Sequence, residues 1–313
     1  MLNKVMHSVY SRLAAFKNSD LGYSFLRSKT AVVSAIIFGT LLVLAMGAEI
    51  FAPHNPMDLA SFNLSDARLP PAWQEQGQAR YVLGTDHQGR DLLSALMYGT
   101  RMSLWVGLAS VAFAMLLGIV FGLIAGYAGG AVDAFIMRIC DVMLSFPSIL
   151  VALLVDGILH TVIPRNTDNI LQSFSVIVLA IGLTLWVKYA RTVRGSVMVE
   201  KNKEYVQAAK VMGVSTTVII FKHILPNILS PITVLATLHI AQAIITEATL
   251  SYLGVGVPPT SPSLGTLIRI GNQYLFSGEW WITVWPGLIL VVLVLSANLL
   301  GDWLRDALNP RLQ

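Results

Sequence analysis

Six apolar runs leave this chain few ways to fold. They cover residues 31–51, 103–127, 134–159, 174–189, 228–253 and 281–300. About 20 residues of helix cross the ~30 Å of bilayer hydrocarbon, at ~1.5 Å per residue. In hydrocarbon a backbone must satisfy its own amides, so each run reads as a helix. The expected fold is all-α, a polytopic membrane protein with six transmembrane helices, the fourth the shortest. Composition agrees: 55% of residues are hydrophobic and 12% charged, against ~45–50% apolar in soluble domains. Gly118, Gly122, Pro147, Gly182, Pro231 and Pro286 fall inside the runs, where small residues permit close helix approach and Pro kinks are tolerated.

Basic residues orient the bundle. Lys4, Arg12, Lys17, Arg27 and Lys29 precede the first run. Lys188, Arg191, Arg194, Lys201, Lys203, Lys210 and Lys222 lie around the connection between the fourth and fifth runs, and Arg305 and Arg311 end the chain. Six spans put these groups on one side, which is then cytoplasmic, with both termini inside. Arg68, Arg80, Arg90, Arg101, Arg165 and Arg269 fall on the other side. The sequence pI of about 9.2 therefore reflects membrane topology rather than nucleic-acid binding. No cleavable signal peptide is expected. The single cysteine, Cys140, excludes an internal disulfide framework and a Cys-based metal cluster.

The expected organisation is a cytoplasmic segment 1–30, a first span 31–51, an external loop 52–100, a five-helix core 101–301 and a cytoplasmic tail 302–313. Within the core, residues 190–227 form a polar hairpin. Tyr205, Ala208, Ala209 and Met212 are spaced as one stripe of a short helix. Gly213 follows as a left-handed cap, and Ser215 can start a second helix whose Val218, Phe221 and Leu225 share a face. Pro226 is expected to end that helix before the fifth span. Two readings of the stripe stay open: a helix lying on the lipid interface, or a docking helix for a cytoplasmic protein.

The hairpin "EYVQAAKVMGVSTTVIIFKHILPN" resembles the cytoplasmic signature loop of ABC-importer permeases, the "EAA" motif. Ala208, Ala209, Gly213, Leu225 and Pro226 match it. Gln207 stands for the usual Glu, and His223 for the usual aliphatic residue. The resemblance implies an ABC type I importer permease fold in which residues 204–213, with Glu204, Tyr205, Ala208, Ala209, Met212 and Gly213, form a helix seated in an ATPase subunit. Three further stretches, "LGTDHQGRDLLSALMYGTRMSL", "EATLSYLGVGVPP" and "NLLGDWLRDALNPRL", resemble the dipeptide, oligopeptide and nickel group, nearest its dipeptide C-type subunits. Leu264 stands where that group often has Trp. Implied partners are a homologous second permease, two cytoplasmic ATPase subunits carrying ATP and Mg, and an external peptide-binding protein. The chain itself would bind no cofactor. The implied function is half of the pore of a di- or oligopeptide importer in a bacterial inner membrane. Import of nickel or another small solute is the alternative.

Other polar residues carry weaker signals. Glu247 lies near the outer end of the fifth run. A buried acid at mid-bilayer costs ~2.5–3.5 kcal/mol or more, so it should face the bundle interior, as a gate or as a structural hydrogen-bonding group. Arg138 and Asp141, three apart, are placed for an ion pair or a gate. Asp86, Arg90 and Asp91 read as a salt-bridge and capping cluster rather than a cation site. His54, His87, His160, His223 and His239 lack metal-ligand spacing. With no Walker A motif and no catalytic constellation, an enzyme is not expected. An ion-driven carrier is disfavoured by the scarcity of membrane acids and the lack of an inverted repeat.

Overall fold

The computed structural model describes residues 20–57, 63–162, 170–258 and 260–308. Lys4, Arg12, Lys17, Arg165, Pro259 and Arg311 lie outside the described residues, as do the sequence expectations that rest on them. The chain folds into helices α1 (Asp20–Arg27), α2 (Lys29–Met46), α3 (Leu92–Ala128), α4 (Gly130–Leu144), α5 (Ser148–Val162) and α6 (Ile170–Glu200). Then follow α7 (Glu204–Val211), α8 (Thr216–Tyr252), α9 (Leu264–Asn272) and α10 (Trp281–Ala307). Among the described residues there is no strand.

Five helices, α2, α3, α6, α8 and α10, are each long and apolar enough to span a membrane. The expected third span is different: it is α4 and α5, broken and bent by 102°. Pro147 explains the break. It lacks an amide proton and pushes Phe146 away from helical dihedrals, so α4 stops at Leu144 and α5 restarts at Ser148. The fourth span is not the shortest, since α6 has 31 residues. It takes in Lys188, Arg191 and Arg194, which a cytoplasmic loop was expected to hold.

Caps set several helix starts. Asp91 accepts from the Ser94 amide at 3.0 Å at the head of α3, and Ser263 accepts from Thr266 N at 3.3 Å at the head of α9. Gly129 and Gly130, at φ of 67° and 54°, turn the chain between α3 and α4.

The centre of the bundle is a seam between α3 and α6. A Cβ on Gly118 would lie 2.2 Å from Tyr189 Cβ, one on Gly122 2.6 Å from Val193 Cβ, and one on Gly126 2.8 Å from Val197 Cβ. The contacts advance in step, so the two helices run parallel with backbones nearly touching. From α6, Gly182 returns the contact against Phe113. Helix α8 runs antiparallel to α3, because Ser103 meets Glu247 while Gly107 abuts Ile244.

A second apolar cluster joins α2, α9 and α10 to the start of α3, with Leu264 fully buried in it. Residues 63–91 fold over this end. Trp281 Nε1 donates to Thr85 O at 3.2 Å, Arg101 pairs with Glu49 at 2.9 Å, and Trp73 meets Trp285 edge-on.

Candidate functional site

The hairpin end is built from α7 and the first turns of α8. Gly213 adopts φ 77°, the left-handed cap expected after α7. Ser215 starts α8 in an extended conformation without a side-chain cap bond. Pro226 does not end a helix there; α8 continues to Tyr252. A π-helical turn, Ile219–Ile224, precedes the proline, and the Leu225 amide reaches back to Ile220 O. The widened turn accommodates a residue that offers no amide and whose ring crowds the preceding turn.

The expected apolar stripe of α7 is divided. Ala209 is buried with Val206, Ile219 and Ile224 in the chain's own core. Ala208 is exposed. The most exposed apolar side chains of α7 and its cap are Val211 at 89% and Met212 at 74%, at the tip just before Gly213. Val211, which the stripe omitted, is thus a main contributor to the free face. The four-residue spacing had pointed to Ala209, but a helix this short turns its Val206–Ala209 side inward.

Polar bonds clasp α7 to three long helices. The Tyr205 hydroxyl donates to the Glu200 carboxylate at the end of α6 and accepts from Asn227 Nδ2 of α8 at 3.0 Å. It also lies 3.3 Å from His223 O, which accepts from Asn227 Nδ2 at 2.7 Å. Burial, and then the bond to Glu200, raise the Tyr205 phenol above its ordinary pKa. Lys203 pairs with Glu200 at 2.8 Å. Lys201 donates to Gly126 O of α3 at 2.7 Å, and the Lys210 ammonium lies over the Tyr127 ring at 5.7 Å. Glu204 opens α7, where an acid complements the helix dipole.

The other singled-out residues are placed as follows. Glu247 is fully buried. It accepts from Ser103 Oγ and Ser251 Oγ, each at 2.7 Å, and Ser103 Oγ accepts from Leu264 N at 3.3 Å. In this structure Glu247 ties α3, α8 and α9 together. Arg138 does not pair with Asp141. Asp141 faces Arg191 of α6 at 3.8 Å, and Arg138 is exposed. A stronger link, unforeseen from local spacing, joins α4 to α6: Arg194 binds Asp133 through two bonds of 2.5 and 2.6 Å. The Asp86, Arg90 and Asp91 cluster is the salt-bridge and capping unit anticipated, with Arg90 Nε 2.7 Å from Asp86 Oδ2. Among the described residues, no group of three His, Cys, Asp or Glu side chains is placed to hold a metal ion.

Comparisons agree with this geometry. Residues 118–313 match the family of binding-protein-dependent transport system inner membrane components, and residues 20–71 match the N-terminal transmembrane domain of oligopeptide transport permease C. The chain is 38% identical over 294 residues to the dipeptide transport system permease protein DppC of Haemophilus influenzae, covering 94% of this chain and 95% of that one. It is 41% identical over 295 residues to DppC of Escherichia coli, covering 94% and 93%. The solved MetNI methionine ABC transporter, in inward-facing form, superposes with a TM-score of 0.54 at 20% identity, over 69% of this chain and 96% of that chain. That likeness supports the fold alone, the helical architecture of an ABC importer permease. Family matches along both parts of the chain, with relatives aligned nearly end to end, show that this chain belongs to the binding-protein-dependent transport system inner membrane components, as a multi-pass permease subunit and not a catalytic one.

Proposed function

We propose that this chain forms half of the translocation path of an ATP-driven importer of di- and oligopeptides, with α7 as the helix that couples the path to an ATPase. One observation carries the coupling: an apolar tip, Val211 and Met212, at 89% and 74% exposure, stands on a helix hydrogen-bonded to α6 and α8 and held on α3 by Lys210 over the Tyr127 ring. Exposed apolar side chains in a polar setting fit a protein cleft, and the clasp would pass movement of α7 to all three helices. The lysines near α7 favour a cytoplasmic face. Both termini would share that side. ATP and Mg would reside on two ATPase partners, a homologous permease would complete the path, and an external binding protein would deliver substrate.

The peptide reading is supported by relatives named for dipeptide, di/tripeptide and oligopeptide transport; nickel is not favoured. Uptake of labelled dipeptide and of labelled nickel in a strain lacking this gene, with and without its restoration, tests it. Dipeptide uptake is expected to return with the gene. Recovery of nickel uptake alone would overturn the peptide assignment.

A further inference from the structure

The break between α4 and α5 opens a small cleft against α6 and α8, about 50 Å³ in volume. Phe146, Ser148, Thr184, Lys188, Gln242 and Thr246 are among its lining residues. Lys188 is the unusual member. Lys188 falls at the end of the apolar run 174–189 carried by α6, a helix long and apolar enough to span. An ammonium at such a place must be paired or face water. One turn on, Arg191 has Asp141 at 3.8 Å. Among the described residues Lys188 has no carboxylate partner, and it is exposed on the side of α6 turned away from the α3 seam.

We propose that Lys188, beside the α4–α5 break, is the station on the translocation path that takes the C-terminal carboxylate of a passing peptide. Three features of the cleft fit an anion of that size. Lys188 supplies charge, and the Gln242 amide supplies a neutral donor, while the Thr184 and Thr246 hydroxyls already donate to Ile181 O and Gln242 O at 2.7 and 2.8 Å. The first amides of α5, starting at Ser148, lack partners within their own helix and carry the positive end of its dipole. Interrupted membrane helices whose N-termini face anionic substrate groups are a recurring transporter device. The volume admits a carboxylate and not a whole peptide, so the rest of the substrate would lie against the facing permease.

The inference rests on the peptide-importer reading, and the test separates them. The assembled transporter, reconstituted with its binding protein, is given a dipeptide and its C-terminal amide, each at a concentration that saturates the binding protein. Uptake and stimulated ATP hydrolysis are measured for native chain, Lys188→Met, Lys188→Gln and Lys188→Arg. Lys188→Met and Lys188→Gln should lower free-acid uptake about tenfold, the scale of one lost charge-assisted hydrogen bond, while amide uptake and stimulated ATP hydrolysis stay within about twofold. Lys188→Arg should restore the acid. Equal loss for acid and amide, loss of stimulated hydrolysis in both neutral variants, or no change in either substrate overturns the inference alone. Failure of the native complex to take up dipeptide overturns the peptide reading and this inference with it.

Discussion

The α3–α6 seam and the α7 clasp hold helices together by opposite means. In the seam, Gly118, Gly122 and Gly126 remove side chains so that backbones meet, and a Cβ at Gly118 would sit 2.2 Å from Tyr189 Cβ. Around α7, side chains do the joining: Tyr205, Glu200, Lys201 and Asn227 bond across gaps between helices. A seam whose α3 side carries no side chains leaves Tyr189, Val193 and Val197 packed on backbone with little room to rearrange, and it moves as one body. A clasp of a few directional bonds fixes an angle and can be altered one bond at a time. The contrast fits a rigid bundle with a handle.

Substitution at the seam should have the largest effect. Gly118→Leu drives a branched side chain into Tyr189 and the Trp186 carbonyl. It should cost at least the ~1–3 kcal/mol of core overpacking, read as a lowered melting temperature in detergent and reduced membrane yield. Gly39, with nothing within 4 Å of its added Cβ, is the control. Gly39→Ala should change stability by no more than about 0.5 kcal/mol, and equal damage at both sites would contradict the seam.

The clasp predicts a different pattern. Tyr205→Phe removes the hydroxyl shared by Glu200 and Asn227, at about 0.5–1.5 kcal/mol per net bond. Melting should shift little, while binding-protein-stimulated ATP hydrolysis in the assembled complex falls several-fold. Unchanged stimulation would mean that the tyrosine only decorates the junction.

The smallest effect concerns the other end of the molecule. His87 stacks on Tyr274 with ring centroids 5.8 Å apart, and burial lowers its pKa despite the opposing charge of Asp86. A base whose folded pKa is depressed binds fewer protons folded than unfolded, so stability falls as pH drops below the ordinary histidine value of ~6.5. His87→Gln should flatten that acid-side slope. Melting curves between about pH 7 and pH 5 check it, and an identical slope in both chains would refute the assignment.

Much of this was legible in the residues. Long apolar runs announced the helices, and Gly118 and Gly122 within one of them announced a close approach. What escaped had specific causes. Pro147 sits in an uninterrupted apolar stretch, so hydropathy joined α4 to α5, although the X-Pro geometry at Phe146 had the information to split them. Pro226 read as a terminator because nothing in a sequence pattern reveals a π-helical turn ahead of it. Asp141 was given to Arg138 by local spacing, whereas its partner Arg191 comes from another helix, as does Arg194 for Asp133. Ala208 and Ala209 looked alike on a helical wheel, and only the packing of α8 decides which faces out.

The most direct measurement uses the chain's single cysteine to advantage. With Cys140 replaced by Ala, Met212→Cys places one reactive thiol at the tip of α7. In the assembled complex it should cross-link to an ATPase subunit, be shielded from soluble thiol reagents by that subunit, and become reactive when the subunit is stripped away. Labelling of Cys at position 212 by impermeant reagent from outside intact cells, or the same reactivity with and without the ATPase, would contradict the coupling role.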